Sequence, residues 1–258
     1  MIEKQKRMRD IAMWSAILLG ILTLLIMSIQ RKLNSIVEDV RIEINVIKGD
    51  RNLISEKEVL NIFRAYLGFS PQSANLKELD LRTIEQVISD DERVKSVEIY
   101  IDAANRLNVV IQQKQPIVRI FDDNSTSYYL DEVGDRISVR KGVAVRVPIA
   151  TGHIELYNKA LIDGSAKSAL EKVLYVANEI HKDEYLSALV EQIDISPEKE
   201  IFLIPKIGRQ KILIGGIENF EEKVYKLKLM YRDGLPSEGW RKYSVLKLNY
   251  KGSVYAEF

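Results

Sequence analysis

The sequence predicts an α+β protein with one N-terminal transmembrane helix, then a βααββ domain, then a mixed, mainly antiparallel β domain with two helices. Three observations support this fold class. An uncharged apolar run lies near the N-terminus, strand, helix, helix, strand and strand patterns follow it in that order, and the second half combines short strand patterns with two amphipathic helix patterns. The chain has 258 residues, 46% of them apolar and 29% charged, which is enough for more than one core.

Composition narrows the classes of function. The formal net charge is only +1, so there is no bulk electrostatic reason to expect nucleic-acid binding. The chain has no cysteine, which excludes disulfides, thiolate metal sites and cysteine nucleophiles.

The apolar run IAMWSAILLGILTLLIMSI, residues 11–29, is predicted to cross a membrane. As a helix it would span about 28 Å, close to the thickness of a bilayer's hydrocarbon core. The residues predicted to anchor it in lipid are Trp14, Leu18, Leu22 and Leu25. A cleaved signal peptide is the alternative, but its apolar region would be shorter, and MSIQ at 27–30 contains no small-x-small cleavage pair.

Basic residues predict the orientation of this helix. Those before it are Lys4, Lys6, Arg7 and Arg9, and those just after it are Arg31 and Lys32. The positive-inside bias therefore predicts a cytoplasmic tail at 1–10, a juxtamembrane linker at 30–39 and an extracytoplasmic location for the rest of the chain.

A globular domain is predicted from residue 40 onward. The apolar face of its first strand consists of Val40, Ile42, Ile44 and Val46. A capping box of Ser55 and Glu58 begins the first helix, which ends at Gly68, and Asp80 can cap the second helix. VKSVEIYI and LNVVI, joined by a turn at DAAN, then predict an antiparallel hairpin.

This order, directly after an N-terminal anchor, resembles the POTRA domain of the bacterial cell-division family FtsQ, called DivIB in Gram-positive bacteria. In that family the last strand of the domain runs into a Glu-Arg-Glu-Pro-like sequence followed by a small or branched apolar residue. Gln113, Lys114, Gln115, Pro116 and Ile117 keep that shape without its acids. Because proline cannot donate to a strand ladder, we expect the domain junction at Gln113, Lys114 and Pro116. The resemblance implies a POTRA domain at 40–115 and a C-terminal β domain at 116–258.

The second half extends the resemblance. SYYLDEVGDRISV, residues 127–139, is similar to the family's strand, turn and return strand, with Asp131 and Gly134 supplying the turn. A helix is predicted over 166–181, and short strands around Ile193, 201–204 and 212–214.

A last helix is predicted to begin at a capping pair of Asn219 and Glu222 and to end at Gly234 and Pro236. The lysine run from Lys223 to Lys228 on this helix is assigned to its solvated face. The segment ILIGGIENFEEKVYKLKLMY, which contains the helix, is similar to the family's strand, glycine and lysine-rich amphipathic helix.

A search for catalytic groups finds little. His153 and His181 have no metal-site spacing, and the adjacent acids Asp122 with Asp123 and Asp131 with Glu132 lie in turns, where neighbouring side chains usually point apart. The sequence also lacks a Gly-x-Ser-x-Gly elbow and a Ser-x-x-Lys motif. We therefore expect no enzyme activity, cofactor, metal or small-molecule substrate.

The C-terminal segment YSVLKLNYKGSVYAEF is the candidate partner-binding site, because its alternation predicts strands at the edge of a sheet. The candidate residues are Leu246, Leu248, Tyr250, Gly252, Val254 and Tyr255. In the family this closing region helps to receive the bitopic division proteins FtsB and FtsL. A strand needed only for folding is the equally weighted alternative.

The resemblance implies a non-enzymatic division scaffold in the cytoplasmic (inner) membrane at the septum, with FtsB-like and FtsL-like proteins and other divisome components as partners. Two other classes remain open at this point. A membrane-anchored cell-wall enzyme would need a pocket with convergent carboxylates or a metal. A POTRA-containing secretion or sensor component would more often carry repeated POTRA units, and the sequence shows no internal repeat.

Overall fold

The structure, a computed structural model, describes residues 2–47, 52–140 and 142–258. These residues form two compact units. The first unit contains the chain up to Asn45 together with Ile54–Gln112, and the second contains Val46–Leu53 together with Gln113–Phe258. The sequence places all of 40–115 in one domain, whereas the structure groups a short internal stretch with the second half.

A long N-terminal helix, α1 (Ile2–Leu33), opens the first unit. It contains the predicted span and extends four residues past residue 29, so it also covers the first part of the predicted linker. Its segment Met13–Lys32 is long and apolar enough to cross a membrane, and the side chains of that segment are exposed. Those exposed side chains include Trp14, Leu18, Leu22 and Leu25.

The rest of the first unit confirms the predicted strand, helix, helix, strand, strand order. Its main elements are β1 (Asp39–Asn45), α2 (Glu56–Leu67), α3 (Leu81–Ser89), β2 (Val94–Ile101) and β3 (Arg106–Gln113). The sheet order is β1-β3-β2, and β1 runs parallel to β3. Val46 lies outside β1 and is exposed, so it does not belong to the predicted apolar face.

Local capping signals determine where these helices begin and end. The capping box is present, because the Ser55 hydroxyl accepts from the Glu58 N–H while a Glu58 carboxylate oxygen accepts from the Ser55 N–H. Gly68 ends α2 at φ +78°, a left-handed conformation that glycine adopts without a Cβ penalty. Asp80 caps α3 by accepting from the Thr83 N–H at 3.2 Å. All these predictions are confirmed.

An ion-pair network joins α2 to the turn that follows α3. The Arg93 guanidinium lies 2.8 Å from the Glu58 carboxylate and 2.7 Å from the Asp91 carboxylate. Burial alone would raise the pKa of Asp91, but hydrogen bonds from the Arg93 side chain and backbone outweigh it and hold the pKa below its usual value.

The connection from α1 to β1 is hydrogen-bonded to a later part of the same unit. Ser35 accepts from the Leu76 N–H at 3.0 Å, and the Val37 N–H donates to Ala74 at 3.0 Å. Lys77 Nζ donates to Asn34 Oδ1, also at 3.0 Å. The last part of the predicted linker is therefore ordered structure.

The second unit is built on a mixed sheet. Its strands are β4 (Val118–Phe121), β5 (Ser127–Leu130), β6 (Arg136–Ser138), β7 (Ile149–Gly152), β8 (Val190–Ile195), β9 (Ile201–Pro205), β10 (Lys211–Gly215), β11 (Val245–Lys247) and β12 (Tyr255–Glu257). The order across the sheet is β12-β11-β10-β9-β8-β7-β4-β5-β6. The pairs β4·β7, β7·β8 and β10·β11 are parallel and the other neighbouring pairs are antiparallel, which confirms the predicted fold class.

Helices pack on this sheet. They are α4 (Ala169–Lys182), α5 (Glu184–Leu189), α6 (Phe220–Leu229) and α7 (Leu235–Glu238), with a π-helical turn at Met230–Gly234 between the last two. The core between helices and sheet includes the fully buried Leu170, Val173, Leu227, Leu246 and Leu248.

Two predicted helix ends differ from the structure. Asn219 precedes α6 in the left-handed region at φ +53° and makes no side-chain capping bond, so the predicted capping pair with Glu222 does not form. The helical path also continues past Gly234 and Pro236 to Glu238. Proline fits there because it lies in the first turn of α7, where its missing N–H is least needed.

The stretch Val46–Leu53 contributes to a small separate core of the second unit. Ile47 and Leu53 are buried there with Tyr129, Ile137 and Val145. This burial explains why the stretch groups with the second unit.

Candidate functional site

The strand β12 lies at one end of the larger sheet. Its inner side pairs antiparallel with β11, where Lys247 lies opposite Tyr255 and Leu246 opposite Ala256. Among the strands that the structure describes, none pairs with the outer side of β12. The outer edge therefore presents backbone groups that could bind an added strand.

The residues predicted for partner binding divide by burial. Leu246 and Leu248 are fully buried and belong to the main core, and Val254 is half-buried against it. Gly252 is exposed and has φ +70°, which a tight turn between β11 and β12 requires. Tyr250 and Tyr255 are 48% and 55% exposed. The leucines can only support this edge, whereas the tyrosines can contact a partner.

The two tyrosines form an exposed aromatic pair. Their ring centroids are 4.6 Å apart with the ring planes tilted by 60°. Tyr250 lies in the turn and Tyr255 begins β12, so the pair closes the end of the hairpin. A second pair, Tyr243 with the exposed Phe258, lies at the other end of β12 with centroids 5.5 Å apart. Aromatic rings on both flanks of an open strand edge supply large apolar contact area to a partner.

The lysines of α6 are not arranged as the sequence predicts. Lys223 and Lys226 are only 7% and 9% exposed, so the assignment of the whole lysine run to a solvated face is wrong. The helical positions contain the signal that was missed, since Lys223 and Lys226 fall within the apolar stripe of Phe220, Val224 and Leu227. Their stems are buried with the stripe while each amine reaches a backbone carbonyl.

Lys226 and Glu222 together hold the turn between β11 and β12. Lys226 Nζ donates to the Tyr250 carbonyl at 2.7 Å and to the Leu248 carbonyl at 3.3 Å. Glu222 Oε1 lies 3.4 Å from Lys226 Nζ and accepts from the Gly252 N–H at 3.4 Å. We call this arrangement the α6 clasp. It connects the conformation of the turn, and with it the position of Tyr250, to the helix.

Lys223 forms a separate contact. Its amine donates to the Gly216 carbonyl at 2.8 Å, at the connection between β10 and α6. Burial lowers the pKa of Lys223, and the charge on Lys226 lowers it further, while Glu218 and Glu222 act in the opposite direction. This lysine stabilises the start of the helix and does not contact the turn.

Comparison with known families places this sheet and its edge in one domain type. The model of the FtsQ/DivIB, C-terminal related family matches residues 115–256, more than half of the chain. The chain belongs to the FtsQ/DivIB family. A POTRA-like domain model matches residues 36–112. Comparison with individual curated proteins gives no match.

Membership in the FtsQ/DivIB family supports a role in cell division. This family consists of non-enzymatic division scaffolds. The matched region 115–256 contains β11, the α6 clasp, Tyr250 and Tyr255. The candidate edge is therefore part of the domain that defines the family.

The junction residues of this FtsQ/DivIB member help to assemble the second unit. Gln113 is buried, and its side chain accepts from the Leu53 N–H at 2.6 Å while donating to Asn52 Oδ1 at 3.1 Å. Lys114 lies 3.4 Å from the Asp135 carboxylate. Pro116 is buried; in the chain it follows β3 and precedes β4, and these two strands belong to different sheets.

The paired acids of the FtsQ/DivIB chain hold turns. Asp122 accepts from the N–H of Asn124 and Thr126. Asp131 accepts from the N–H of Val133 and Asp135, and burial raises its pKa. Within the described ranges, no group of three or more histidine, aspartate or glutamate side chains could hold a metal ion.

Proposed function

We propose that this FtsQ/DivIB member is a division scaffold that α1 anchors in the cytoplasmic membrane, with a cytoplasmic N-terminus and the chain after α1 on the extracytoplasmic side at the septum. It recruits FtsB-like and FtsL-like bitopic proteins and other divisome components by binding alone. The family match, the span Met13–Lys32 and the excess of basic residues before that span support this proposal.

The observation that carries the partner proposal is the open outer side of β12 beside the exposed pair Tyr250 and Tyr255. A partner strand added there gains main-chain hydrogen bonds from β12 and a contact for one or two apolar side chains against the tyrosines. Interfaces of this kind usually depend on a few large aromatic residues, so these two are the expected hot spots.

A binding titration tests the role of the aromatic pair. The full chain in detergent or nanodiscs is titrated with its cognate FtsB-like protein, as wild type and as Tyr255→Ala. We expect the Kd to rise at least about tenfold in the variant. Tyr225→Ala is the matched control, because Tyr225 is 63% exposed on α6, where it lines a groove with Glu179 of α4 and Leu186 of α5, and its loss should change Kd less than about twofold.

Hydrogen exchange tests the strand addition itself. The peptide that contains β12, residues 254–258, should exchange more slowly when the partner is bound, because its outward amides become hydrogen-bonded. Tight binding without protection of 254–258, or a Tyr255→Ala chain that binds like wild type, would show that this edge is not the site.

Two cell experiments test the division role and the location. Depletion of the protein should produce filamentous cells, and a fluorescent fusion should collect at division sites. Normal division under depletion would contradict the scaffold proposal independently of which surface binds partners.

A further inference from the structure

The end of α1 is fixed to a turn that lies more than forty residues later in the chain. Asn34 and Ser35 directly follow α1, and they accept hydrogen bonds from Lys77 Nζ and the Leu76 N–H, each at 3.0 Å. Ile36 pairs with Asn75 in a short antiparallel bridge. The turn 74–77 therefore cannot move away from the end of the helix without losing these bonds.

The length of the apolar segment sets the depth of this turn in a membrane. The twenty residues Met13–Lys32 span about 30 Å as a helix, which matches the hydrocarbon core. Each headgroup layer adds roughly 5 to 8 Å. Asn34 lies two residues past the segment, about 3 Å further along the helix axis, so the Lys77 amine bonded to it lies at headgroup depth.

The side chains around this turn suit a lipid interface. Arg31, Lys32 and Lys77 are exposed cations, and exposed apolar surface comes from Ile36 beside the turn and Phe69 at the end of the helix that precedes it. The acids nearest in sequence are Glu38 and Glu78, and the Glu78 carboxylate accepts hydrogen bonds from Asn75. Basic and aromatic side chains are favoured where headgroups meet the apolar core.

We propose that the turn 74–77, with Ile36, is a membrane-contact surface that binds the headgroup layer of the leaflet from which α1 emerges, with Lys77 directed at anionic lipid. This proposal rests on the proposed anchoring by α1. It gives the first unit a lipid-binding surface, in addition to the partner-binding edge proposed on the second unit.

Single-cysteine labelling tests the contact, because the chain has no native cysteine. Ser73→Cys places a fluorophore on an exposed residue beside the turn, and Ser96→Cys is the matched control. Ser96 lies beside Gln112, whose β1 partner Asn45 is about 20 Å along the strand from Asp39 near the membrane. The labelled full chain is reconstituted in vesicles of phosphatidylcholine and phosphatidylglycerol that contain a headgroup spin-labelled lipid.

We expect quenching at position 73 to be at least about threefold stronger than at position 96. Replacing Lys77 with Gln, or omitting phosphatidylglycerol, should reduce the quenching at 73 because it removes the charge attraction. Equal quenching at 73 and 96 would overturn the contact.

A third label separates this inference from the anchoring on which it rests. Leu22→Cys reports insertion of α1 through quenching by lipids brominated in their acyl chains. Quenching at 22 without quenching at 73 rejects the surface contact and leaves the anchor intact. No quenching at 22 rejects the anchor and the contact together.

Discussion

Replacing Lys226 with methionine should loosen the turn between β11 and β12 without removing the apolar stem from the core. The substitution deletes the amine that donates to Tyr250 and Leu248 at 2.7 and 3.3 Å. It also removes the cation that Glu222 faces at 3.4 Å. We expect the turn to open more often while the fold of the second unit persists.

The structure gives the size of this effect. A hydrogen bond from a charged donor contributes about 1.5 to 3 kcal/mol, and the longer of the two contacts adds less. Methionine escapes the desolvation of a buried ammonium, which offsets part of the loss. A net loss of about 2 kcal/mol of local stability corresponds to roughly a 30-fold increase in local opening.

Hydrogen exchange of the amides of residues 248–252 measures this opening. Lys223→Met is the matched control, since Lys223 is equally buried on the same helix but bonds to Gly216 instead of the turn. It should lower global stability by a similar amount and leave exchange at 248–252 unchanged. The α6 clasp would be refuted if both variants changed the turn equally, or if Lys226→Met left it unchanged.

Three further predictions concern stability. Gly152→Ala should lower the free energy of unfolding by at least about 3 kcal/mol in chemical denaturation, because Gly152 has φ +94° and a Cβ would lie 2.1 Å from the Ile195 carbonyl oxygen. Asp91→Asn should cost about 1 to 2 kcal/mol at neutral pH by removing a bond to Arg93. Because the pKa of Asp91 is lowered in the folded state, its ionised carboxylate stabilises the fold above roughly pH 4. This stabilisation is lost as the pH falls through the folded-state pKa. The free energy of unfolding of Asp91→Asn should therefore depend less on pH in the acid range than that of wild type. Leu53→Ala, at a fully buried position, should destabilise the second unit by about 3 kcal/mol in thermal or chemical unfolding.

Each of the three substitutions, at Gly152, Asp91 and Leu53, has a control substitution elsewhere in the chain. Gly164→Ala has a similar φ of +85° but open space, so it should cost only about 1 kcal/mol. Asp90→Asn and Ile207→Ala, both at exposed positions, should each change stability at neutral pH by less than about 0.5 kcal/mol. A variant that behaves like its control contradicts the corresponding contact.

Local signals explain what could be predicted from the sequence. Ser55 with Glu58, Gly68 and Asp80 act within one helical turn of their own positions, and each performs its predicted role. The turn residues Asp131 and Gly134, in a segment similar to the family's strand, turn and return strand, likewise lie where they were expected: the Gly134 N–H donates to the Asp131 carbonyl between the paired strands β5 and β6.

The features that could not be predicted from the sequence depend on contacts between residues far apart in the chain, or on an unusual backbone conformation. Lysine side chains usually lie in solvent, so the sequence did not predict that Lys226 would be buried and hold the turn. The carbonyl groups that accept its hydrogen bonds lie more than twenty residues away in the chain. Asn219 is a residue type that often caps helices, but its backbone is left-handed instead of extended, and its side chain makes no capping bond. The open side of β12 follows from strand order, which no single segment of sequence contains.

The stretch Val46–Leu53 has a consequence for recombination between relatives. It interrupts the segment that matches a POTRA-like domain, yet it belongs to the second unit, where Ile47 and Leu53 are buried among Tyr129, Ile137 and Val145. A chimera that exchanges residues 36–112 as a block would carry foreign side chains into a core that did not change with them. Functional chimeras should therefore exchange both parts of this small core together, and positions 47 and 53 should covary with 129, 137 and 145 among homologues.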